Sequence, residues 1–465
     1  MLTTMPDART RGGLAPALIL FAMLAAPLAA QTPSEVARPF GTLREQAERQ
    51  QAWLKQRLDS ILPGLMRKYK IDMWVVPMRE YNEDPVFAAL VSPTTFAARR
   101  RTIYVFFDQG SGRGVERIAL GGTSQGGLYE AVRSTKKVTA SVGGRQAELW
   151  GDQQWQVLKE VVEARRPKVI GIDVSRTFAF ADGLSAGEYE GMRQALGPVW
   201  TRRFKHAEGL PVDLIAARAP DEQRFYHDLA ELTWAVIDTM FSDRVVRPGV
   251  TRTSDLVWYF RQRVNDFGLG TWFQPSVDVQ RRAASEEQLG DDPVIQPGDV
   301  LHCDVGITAL RLNTDIQHLA YVLPEGETAA PAGLVHALTR SNRLQDIVME
   351  EIRPGRTGNE ILASARARMA AEGIDGTIYS HPIGLNGHGA GPLIGLWDYQ
   401  EGVPGRGDHR VIANQWFSVE LQATTAVPEW DGQPVRMAQE EDMVMGPDGV
   451  PRWAYRRQTE LHLIR

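Results

Sequence analysis

The chain has 465 residues, a net charge of -5, 43% hydrophobic residues and 23% charged residues. These proportions are those of a folded protein and exclude long disordered stretches. The length is too great for one ordinary hydrophobic core and predicts two domains. The weak negative net charge does not indicate the basic surface that nucleic-acid binding needs, so we expect no nucleic-acid partner. Cys303 is the only cysteine, which excludes an internal disulfide, and we expect it in the core.

The first 30 residues have the pattern of a secretory signal peptide. Arg9 and Arg11 precede an apolar run from Leu14 to Leu24, and small residues follow up to Gln31. A basic, an apolar and a small-residue segment in this order are typical of a cleavable export signal. The apolar run is shorter than the ~20 residues that a spanning helix needs. We therefore expect a periplasmic or secreted protein without stable membrane insertion, with an uncleaved anchor as the alternative.

Helices and strands alternate through the predicted first domain, residues 31–217. A helix with many polar positions is expected from Leu43 to Tyr69. Apolar and aromatic runs bounded by charged or turn residues predict strands. These runs are residues 73–77, 103–107, 169–173 and 211–215. The alternation indicates an α/β domain, and Pro with two acids at 220–222 predicts that a new helix opens the second domain.

A weak internal repeat runs through the predicted second domain, residues 218–465. The Arg-Pro-Gly sequence at 247–249 is echoed at 353–355, and each copy precedes an acidic helix start. Gly268 and Gly373 each follow that acid by thirteen residues. Further on, strand patterns ending in Asp304 and Glu420 occupy equivalent places. Two similar halves facing one another would bring these carboxylates together, although chance similarity of two helix starts is also compatible with the pattern.

Two aspartates eleven residues apart form the first part of a candidate site. Asp304 ends an alternating strand pattern, and Asp315 follows a segment that predicts a hairpin. A hairpin would bring the two carboxylates to one point from adjacent strands. Buried carboxylates this close repel each other unless a cation or a proton lies between them. Taken alone, such a pair is also typical of turn or cap chemistry.

A glycine-rich segment, residues 381–392, supplies two histidines. It places His381 and His388 seven residues apart. Its glycines allow close approach of the backbone around a site and disfavour a helix. Downstream, Glu420 lies in an apolar strand pattern and Glu441 in the segment 438–444. A carboxylate in so apolar a strand needs a partner, whereas each residue taken alone is also compatible with a structural role.

In this order and spacing, these six side chains resemble the M24 metallopeptidase family, which includes methionine aminopeptidase, aminopeptidase P and prolidase. The resemblance covers residues 216–465. The first domain is similar to the creatinase-type N-terminal domain of aminopeptidase P and prolidase. The resemblance implies an α/β protein in which that domain precedes a pita-bread catalytic domain, a pseudo-twofold α+β fold that the internal repeat also indicates.

The resemblance also implies a reaction. The ligands of two divalent metal ions would be Asp304, Asp315, His381, Glu420 and Glu441, with Asp315 and Glu441 bridging the ions. Oxygen ligands with one imidazole suit Mn, Co, Zn or Fe, and manganese is favoured. A metal-bridged hydroxide would attack the N-terminal peptide bond of a peptide substrate, with Xaa-Pro peptides favoured. Glu420 would carry the proton, and His388 would contact the substrate. Relatives commonly form dimers or tetramers, so a homodimer is a further expectation.

The chain departs from the family pattern at three places. Family peptidases usually carry a further histidine upstream of the first aspartate, and none occurs here between His227 and His302. The glutamate at 420 is followed by Leu421 and Gln422, where aminopeptidase P and prolidase usually have Pro-Gly. Those enzymes tend to have arginine two residues before the final glutamate, where this chain has Gln439. The predicted metal ligands are complete, so the departures concern substrate choice and rate.

Three other functions are compatible with parts of the sequence. Residues 122–126 fit the G-x-S-x-G pattern of a serine hydrolase, with Ser124 as nucleophile. Relatives of the fold have also become metal-free binding proteins, although they typically lose the ligands. A dipeptidase of the prolidase type is the third alternative.

Overall fold

The first half of the described chain is built on a six-stranded mixed sheet. The computed structural model describes residues 38–134 and 148–465, with the backbone alone at 141–142 and 145–146. The predicted signal peptide lies outside these residues. The strands of the sheet are β1 (Met73–Met78), β2 (Thr102–Asp108), β3 (Val115–Leu120), β4 (Glu130–Val132), β7 (Ile170–Ile172) and β8 (Phe204–His206). They lie in the order β4-β3-β2-β1-β7-β8, and a separate short hairpin pairs β5 (Ser141–Val142) with β6 (Arg145–Gln146).

Helices cover both faces of this sheet. The first, α1 (Leu43–Gln56), starts where the Thr42 side chain and Glu45 satisfy each other's backbone N–H groups. It continues through a π-helical turn, Arg57–Ile61, into α2 (Leu62–Lys68). The others are α3 (Phe87–Leu90), α4 (Asp152–Arg165), α5 (Ala186–Thr201) and α6 (Gly209–Ala216). Two buried apolar clusters, one on each face of the sheet, hold these elements together.

The predicted helix at 43–69 and three of the four predicted strands are confirmed. The prediction of a strand at 211–215 was wrong, because these residues belong to α6. A short apolar run does not distinguish a buried strand from a buried helix. The helix is buried from Leu210 to Ala216, so tertiary packing decides its conformation.

The second half contains a nine-stranded sheet. Six strands follow the order β14-β16-β17-β13-β10-β9, while β15 pairs with β16, β18 with β17 and β19 with β13. The strands are β9 (Ser276–Gln280), β10 (Val300–Val305), β13 (Ile316–Val322), β14 (Asp375–Ile378), β15 (His381–Ile383), β16 (Trp416–Val427), β17 (Gln433–Met445), β18 (Pro451–Trp453) and β19 (His462–Ile464). Strands β11 (Thr308–Ala309) and β12 (Leu312–Asn313) form the small hairpin between β10 and β13.

Five helices belong to this half: α7 (Pro220–Met240), α8 (Thr253–Asp266), α9 (Glu286–Leu289), α10 (Ala332–Glu351) and α11 (Gly358–Ala371). Residues of α7 and α8 share one buried cluster with β10 and β13. Residues of α10 and α11 share another with β16 and β17. Two helix pairs thus cover different parts of one sheet, each in one copy of the repeat.

The repeat predicted from the sequence has the same local conformation in both copies. Gly249 and Gly355 have φ angles of 82° and 89°, and α8 and α11 begin a few residues after them. Gly268 and Gly373, just beyond the ends of these helices, have φ angles of 70° and 59°. Because side chains other than glycine are strained in this region, the shared glycines reflect shared turns.

Buried polar contacts join the two halves. Arg57 donates to Glu222 across 2.8 Å, and both side chains are almost fully buried. Asp213 in α6 accepts from His409 at 2.8 Å. Residues 38–465 form one compact unit, and the domain boundary at 217/218 stays a prediction. Among the described residues, no helix combines the length and apolar character needed to cross a membrane.

Candidate metal centre

Four carboxylates converge where the central strands of the second sheet meet. Asp304 lies near the end of β10, and Asp315 directly precedes β13. Glu420 of β16 is opposite Glu440 of β17 in the antiparallel pair. Gln317 of β13 is paired with both Asp304 and Glu440, so the pairing of the strands brings these residues to one place.

One imidazole faces these carboxylates. The Nδ1 atom of His381 lies 3.0 Å from the carbonyl oxygen of Pro382. This contact assigns the proton to Nδ1 and leaves the lone pair on Nε2. That Nε2 lies 3.3 Å from a Glu440 oxygen, 3.5 Å from an Asp315 oxygen and 3.9 Å from a Glu420 oxygen. The histidine is fully buried.

The unpaired atoms of this cluster fit divalent metal ions. Asp304 Oδ1, Asp315 Oδ1 and His381 Nε2 are buried, and no described residue gives them a hydrogen bond. Buried polar atoms normally have partners, so such atoms at one point fit a site for a cation. Three overlapping groups have potential ligand atoms within 4.8 Å of one another: Asp304, Asp315 and Glu440; His381, Glu420 and Glu440; and Asp315, His381 and His388. Oxygen ligands with one imidazole suit Mn, Co, Zn or Fe.

The charges of the cluster explain its pKa shifts. Burial, and then the charge of Glu440, raise the pKa of Asp304 to about 7. The same two causes raise the pKa values of Asp315 and Glu420 well above their usual range. For His381, burial lowers the pKa, but the neighbouring carboxylates outweigh burial and raise it. A cation of high charge would reduce the repulsion between these carboxylates and allow several of them to ionise together.

Neutral side chains hold the carboxylates in position. Gln317 Nε2 donates to Glu420 Oε1 at 3.0 Å and to Glu440 Oε2 at 2.7 Å. Ser418, on the same face of β16 as Glu420, donates to Glu440 Oε1 at 2.6 Å. Behind Gln317, His302 contacts the amide oxygen of that side chain at 2.9 Å. These hydrogen bonds fix the orientation of both glutamates before any ligand binds.

His388 lies at the exposed edge of the cluster. Its ring is 4.8 Å from the His381 ring and nearly perpendicular to it. Burial, and then the charge of His381, lower the pKa of His388 to about 4, so this imidazole is neutral at pH 7. The glycine-rich segment also needs its glycines, because a Cβ at Gly387 would lie 2.3 Å from the Trp272 ring. The segment therefore packs its backbone against Trp272 and leaves His388 facing outward.

The structure does not bring Glu441 to this cluster, and its prediction as a bridging ligand was wrong. Successive side chains of a strand point to opposite faces, so Glu440 and Glu441 cannot both face the site. Glu441 is buried on the other face, where it accepts from the Gln458 backbone N–H at 2.8 Å and from the Trp234 indole N–H at 3.1 Å. His318 Nε2 lies 3.1 Å from it.

A sequence signal for this correction was available. Four of the five large aliphatic side chains of β17, Val435, Met437, Met443 and Met445, are at odd positions and are buried, whereas Val444 is the one at an even position. Even positions must then face the other way, which selects Glu440. The residue two positions before the site glutamate is consequently Ala438 and not Gln439. The other four predicted ligands lie in the cluster, and their role as ligands stays a prediction.

A cleft of about 280 Å³ opens onto the cluster. Its lining includes Asp304, Glu420 and Gln317 of the cluster, together with Tyr379 and Trp397. Trp397 is 72% exposed, so it presents an aromatic surface to a molecule entering the cleft. The cleft gives the carboxylates access to a substrate.

The serine-hydrolase alternative has no support in the fold. A nucleophile elbow places its serine between a strand and a helix. Here Ser124 lies in an exposed turn between β3 and β4, and the chain continues into a strand.

Comparisons with known proteins show what this part of the chain is similar to. Residues 225–445 match the model of metallopeptidase family M24. No curated protein matches the chain. The X-Pro aminopeptidase from Thermotoga maritima MSB8 has a similar structure, with a TM-score of 0.58 and 18% identity over 86% of this chain and 99% of that one.

Two further structures show how widely this fold is used. The Xaa-Pro dipeptidase from Bacillus anthracis has a TM-score of 0.54 and 18% identity over 90% of this chain and 99% of that one. The N-terminal domain of the FACT complex subunit SPT16 from chickpea, Cicer arietinum, has a TM-score of 0.55 and 13% identity over 89% and 99%. At these identities the likeness establishes the fold, an N-terminal α/β domain followed by a pita-bread domain, and function must be argued from the site.

Proposed function

We propose that this chain, whose residues 225–445 match the model of metallopeptidase family M24, is a dinuclear aminopeptidase that releases the N-terminal residue of peptides, with Xaa-Pro peptides as preferred substrates. The family supports the coarser function, a metal-dependent peptidase. The observation that carries the proposal is the convergence of Asp304, Asp315, His381, Glu420 and Glu440, in which three buried ligand atoms have no described partner.

Two metal ions are proposed because two of the ligand groups share Glu440 and have no other member in common. Asp304 and Asp315 would complete the first group, and His381 and Glu420 the second. When bound, divalent ions at these positions would supply Lewis-acid activation of a water and of the scissile carbonyl. Manganese is our first candidate among Mn, Co, Zn and Fe.

The chain's own side chains would orient the substrate and move the proton. Glu420 faces the cleft, and only one of its oxygens is held by Gln317. Its other oxygen can accept a proton from the attacking water and deliver it to the leaving amine. His388 is neutral at pH 7, so its ring can donate a hydrogen bond to the substrate carbonyl without bringing a positive charge near the metal ions.

The fold alone does not decide the function, because an X-Pro aminopeptidase and a domain of a FACT complex subunit share it. The intact set of acids and imidazole favours the enzyme, since a binding surface gains nothing from burying mutually repelling carboxylates. We also propose that residues 1–30 are removed on export.

The experiment measures metal content per chain and release of the N-terminal residue from an Xaa-Pro peptide, with added Mn and with a chelator. We expect about two ions per chain and release that the chelator abolishes. Metal binding without Xaa-Pro cleavage would retain the metalloprotein and reject the proposed specificity. No metal and no cleavage would favour a binding protein.

The variant Glu420→Gln tests the proton-transfer role. It keeps the size and the hydrogen bond from Gln317 but cannot carry a proton. We expect kcat to fall by roughly 10²–10⁴-fold, as for other general acid–base groups, while thermal stability stays close to that of the parent chain. Normal turnover in this variant would reject Glu420 as the proton carrier.

A further inference from the structure

Two polar side chains of the cleft have no hydrogen-bond partner among the residues that the structure describes. They are Thr377 of β14 and Gln422 of β16, which are direct partners in the antiparallel pair of these strands. Both residues are half-buried. Polar groups that have lost part of their contact with water usually find partners. The hydroxyl of Thr377 and the amide of Gln422 are therefore available to a molecule that enters the cleft.

Gln422 lies on the same face of β16 as Glu420 of the cluster, because side chains of a strand alternate between its two faces. The register places Thr377 on one side of Gln422 and Ala438 on the other. The small side chain of Ala438 leaves the space beside the Gln422 amide open. In the opposite direction along β16, Ser418 is fully buried. The cleft therefore extends from the cluster toward Gln422.

The amide is a feature of this chain that the family pattern does not supply. Aminopeptidase P and prolidase usually have Pro-Gly after the glutamate, where this chain has Leu421 and Gln422. Leu421 packs in the buried cluster that also holds residues of α10 and α11. Along residues 421–424, β16 is paired with β14 on one side and β17 on the other. A proline would remove a donor from this pairing, and a glycine would place no side chain in the cleft.

A contact elsewhere in the molecule shows what such an amide can bind. Gln280 Oε1 accepts from the Arg436 backbone N–H at 2.9 Å, and Gln280 Nε2 donates to the Arg436 carbonyl at 2.7 Å. A primary amide carries both a donor and an acceptor, so it can bind the N–H and C=O groups of one extended residue at two points. The free amide of Gln422 offers the same pair of groups to an extended peptide.

We propose that Gln422 binds the main-chain N–H and C=O groups of the third residue of the substrate, so that extended peptides of three or more residues are preferred. Gln422 lies two residues from Glu420, roughly 7 Å along the strand. An extended peptide advances about 3.3–3.6 Å per residue. The third residue therefore reaches Gln422 when the bond after the first residue lies at the cluster. This inference rests on the proposed peptidase function and adds the part of the substrate that is recognised.

The test compares the amide of Ala-Pro-Ala-Ala-Ala with two esters, in which lactic acid replaces the third or the fifth residue. The first ester lacks the N–H group that Gln422 would bind, and the second keeps it. For the parent chain loaded with Mn, we expect kcat/KM for release of the N-terminal alanine to be roughly 5- to 50-fold lower with the first ester than with the peptide, mainly through KM, as when a polar group loses its partner.

The second ester should be cleaved like the peptide, because its change lies beyond the contact. The amide of Ala-Pro, which ends before the contact, should lose at least as much as the first ester. Equal cleavage of the peptide and the first ester, or equal losses with both esters, would overturn the inference.

Two variants assign the discrimination to Gln422. Gln422→Met keeps the length of the side chain but removes its donors and its acceptor, so the ratio of peptide to first ester should fall close to one. Gln422→Ala should give the same ratio, and it keeps the test available if methionine at this position perturbs folding. Gln262→Met is the matched control, because Gln262 is an exposed glutamine of α8 that donates to Asp266 at 2.8 Å, and it should keep the parent ratio. A parent ratio in both Gln422 variants would overturn the inference.

Equilibrium binding separates this inference from the proposed function. The Glu420→Gln chain loaded with Mn is titrated with the peptide and with the first ester, alone and combined with Gln422→Met. Tighter binding of the peptide that is lost in the double variant supports the main-chain contact, even if the parent chain cleaves nothing. Equal binding of the peptide and the ester overturns the contact, whether or not the parent chain is a peptidase.

Discussion

Among the residues that the structure describes, two groups of interacting buried acids, one in each half, resolve their repulsion in different ways. In the first half, Asp84 and Asp173 are 2% and 1% exposed and interact with each other. Asp173 accepts from the Trp74 indole N–H at 2.7 Å, and Asp84 from the Val86 backbone N–H at 2.9 Å. In the second half, four acids meet one imidazole and a cleft. The first pair is sealed, whereas the second cluster is open to solvent.

The difference shows what identifies a metal centre. Burial, and more weakly the charge of Asp182, raise the pKa of Asp84 to about 7 against the hydrogen bonds with Val86 and Asp173, which lower it. A single shared proton therefore removes the repulsion between two charged groups in this pair. Four carboxylates would need several protons, and His381 supplies at most one positive charge. Strong pKa shifts alone therefore do not mark the site. The metal centre is identified by the number of acids, the imidazole lone pair and the cleft taken together.

The largest loss of metal affinity and activity is expected when the metal centre loses a ligand. The residue that follows this ligand in the sequence supplies the control. Glu440→Gln removes a carboxylate shared by both ligand groups. We expect metal affinity and kcat/KM to fall by more than the roughly 10- to 100-fold that loss of an outer hydrogen-bond partner costs. Metal content and steady-state kinetics measure both quantities.

Glu441→Gln changes the adjacent residue in the same way but on the other face of β17. Burial raises the pKa of Glu441 well above its usual range, so glutamine resembles its protonated form. We expect this variant to retain its metal and most of its activity, with lower thermal stability. Equal loss of metal in the two variants would contradict the facing of the strand that the structure shows.

Metal binding should stabilise the chain through one acid cluster only. At a free metal concentration of 100 times Kd, one bound ion stabilises the folded state by about 2.7 kcal/mol. Added Mn should therefore raise the Tm of the parent chain and of Asp84→Asn by similar amounts. It should raise the Tm of Glu440→Gln much less. A smaller shift in Asp84→Asn than in the parent chain would show that the sealed pair also binds metal.

The sealed pair should give a smaller effect, visible as pH dependence of stability. Asp84 has a raised pKa in the folded chain, so it keeps its proton while the unfolded chain loses it. Its stabilising contribution is complete below pH 4 and is lost as the pH rises to about 7. The loss has an upper bound of about 4 kcal/mol, at about 1.4 kcal/mol per pKa unit.

Asp84→Asn should make stability less dependent on pH over this range. Urea unfolding of the variant and the parent chain at pH 5 and pH 8, both with excess Mn to hold the metal centre constant, measures the difference. A variant that loses as much stability as the parent chain between these pH values would show that the pair does not hold the proton.

The sequence was most informative where a residue's chemistry conflicts with its surroundings. Asp304 and Glu420 stand out because they are charged residues in apolar strands, and the structure places both in the cluster. Glu441 was predicted wrongly because the final glutamate of the family pattern was assigned to one of two adjacent glutamates by its position in the sequence alone. The alternation of apolar residues in β17 was not used. Gln317 could not have been found, since its role depends on strand pairing between segments more than one hundred residues apart. The helix α6 was missed because its apolar residues pack into the buried cluster of the first half, and this tertiary packing determines its conformation.

The ligands are divided between the two copies of the repeat, so one cleavage of the chain would separate them into two fragments. Asp304 and Asp315 precede the exposed turn at 325–327, and His381, Glu420 and Glu440 follow it. Neither fragment produced by cleavage at this turn would hold a full ligand set. Metal ions bound by ligands from both fragments would then hold the fragments together. Reassembly of the two fragments should therefore require metal and should be reversed by a chelator.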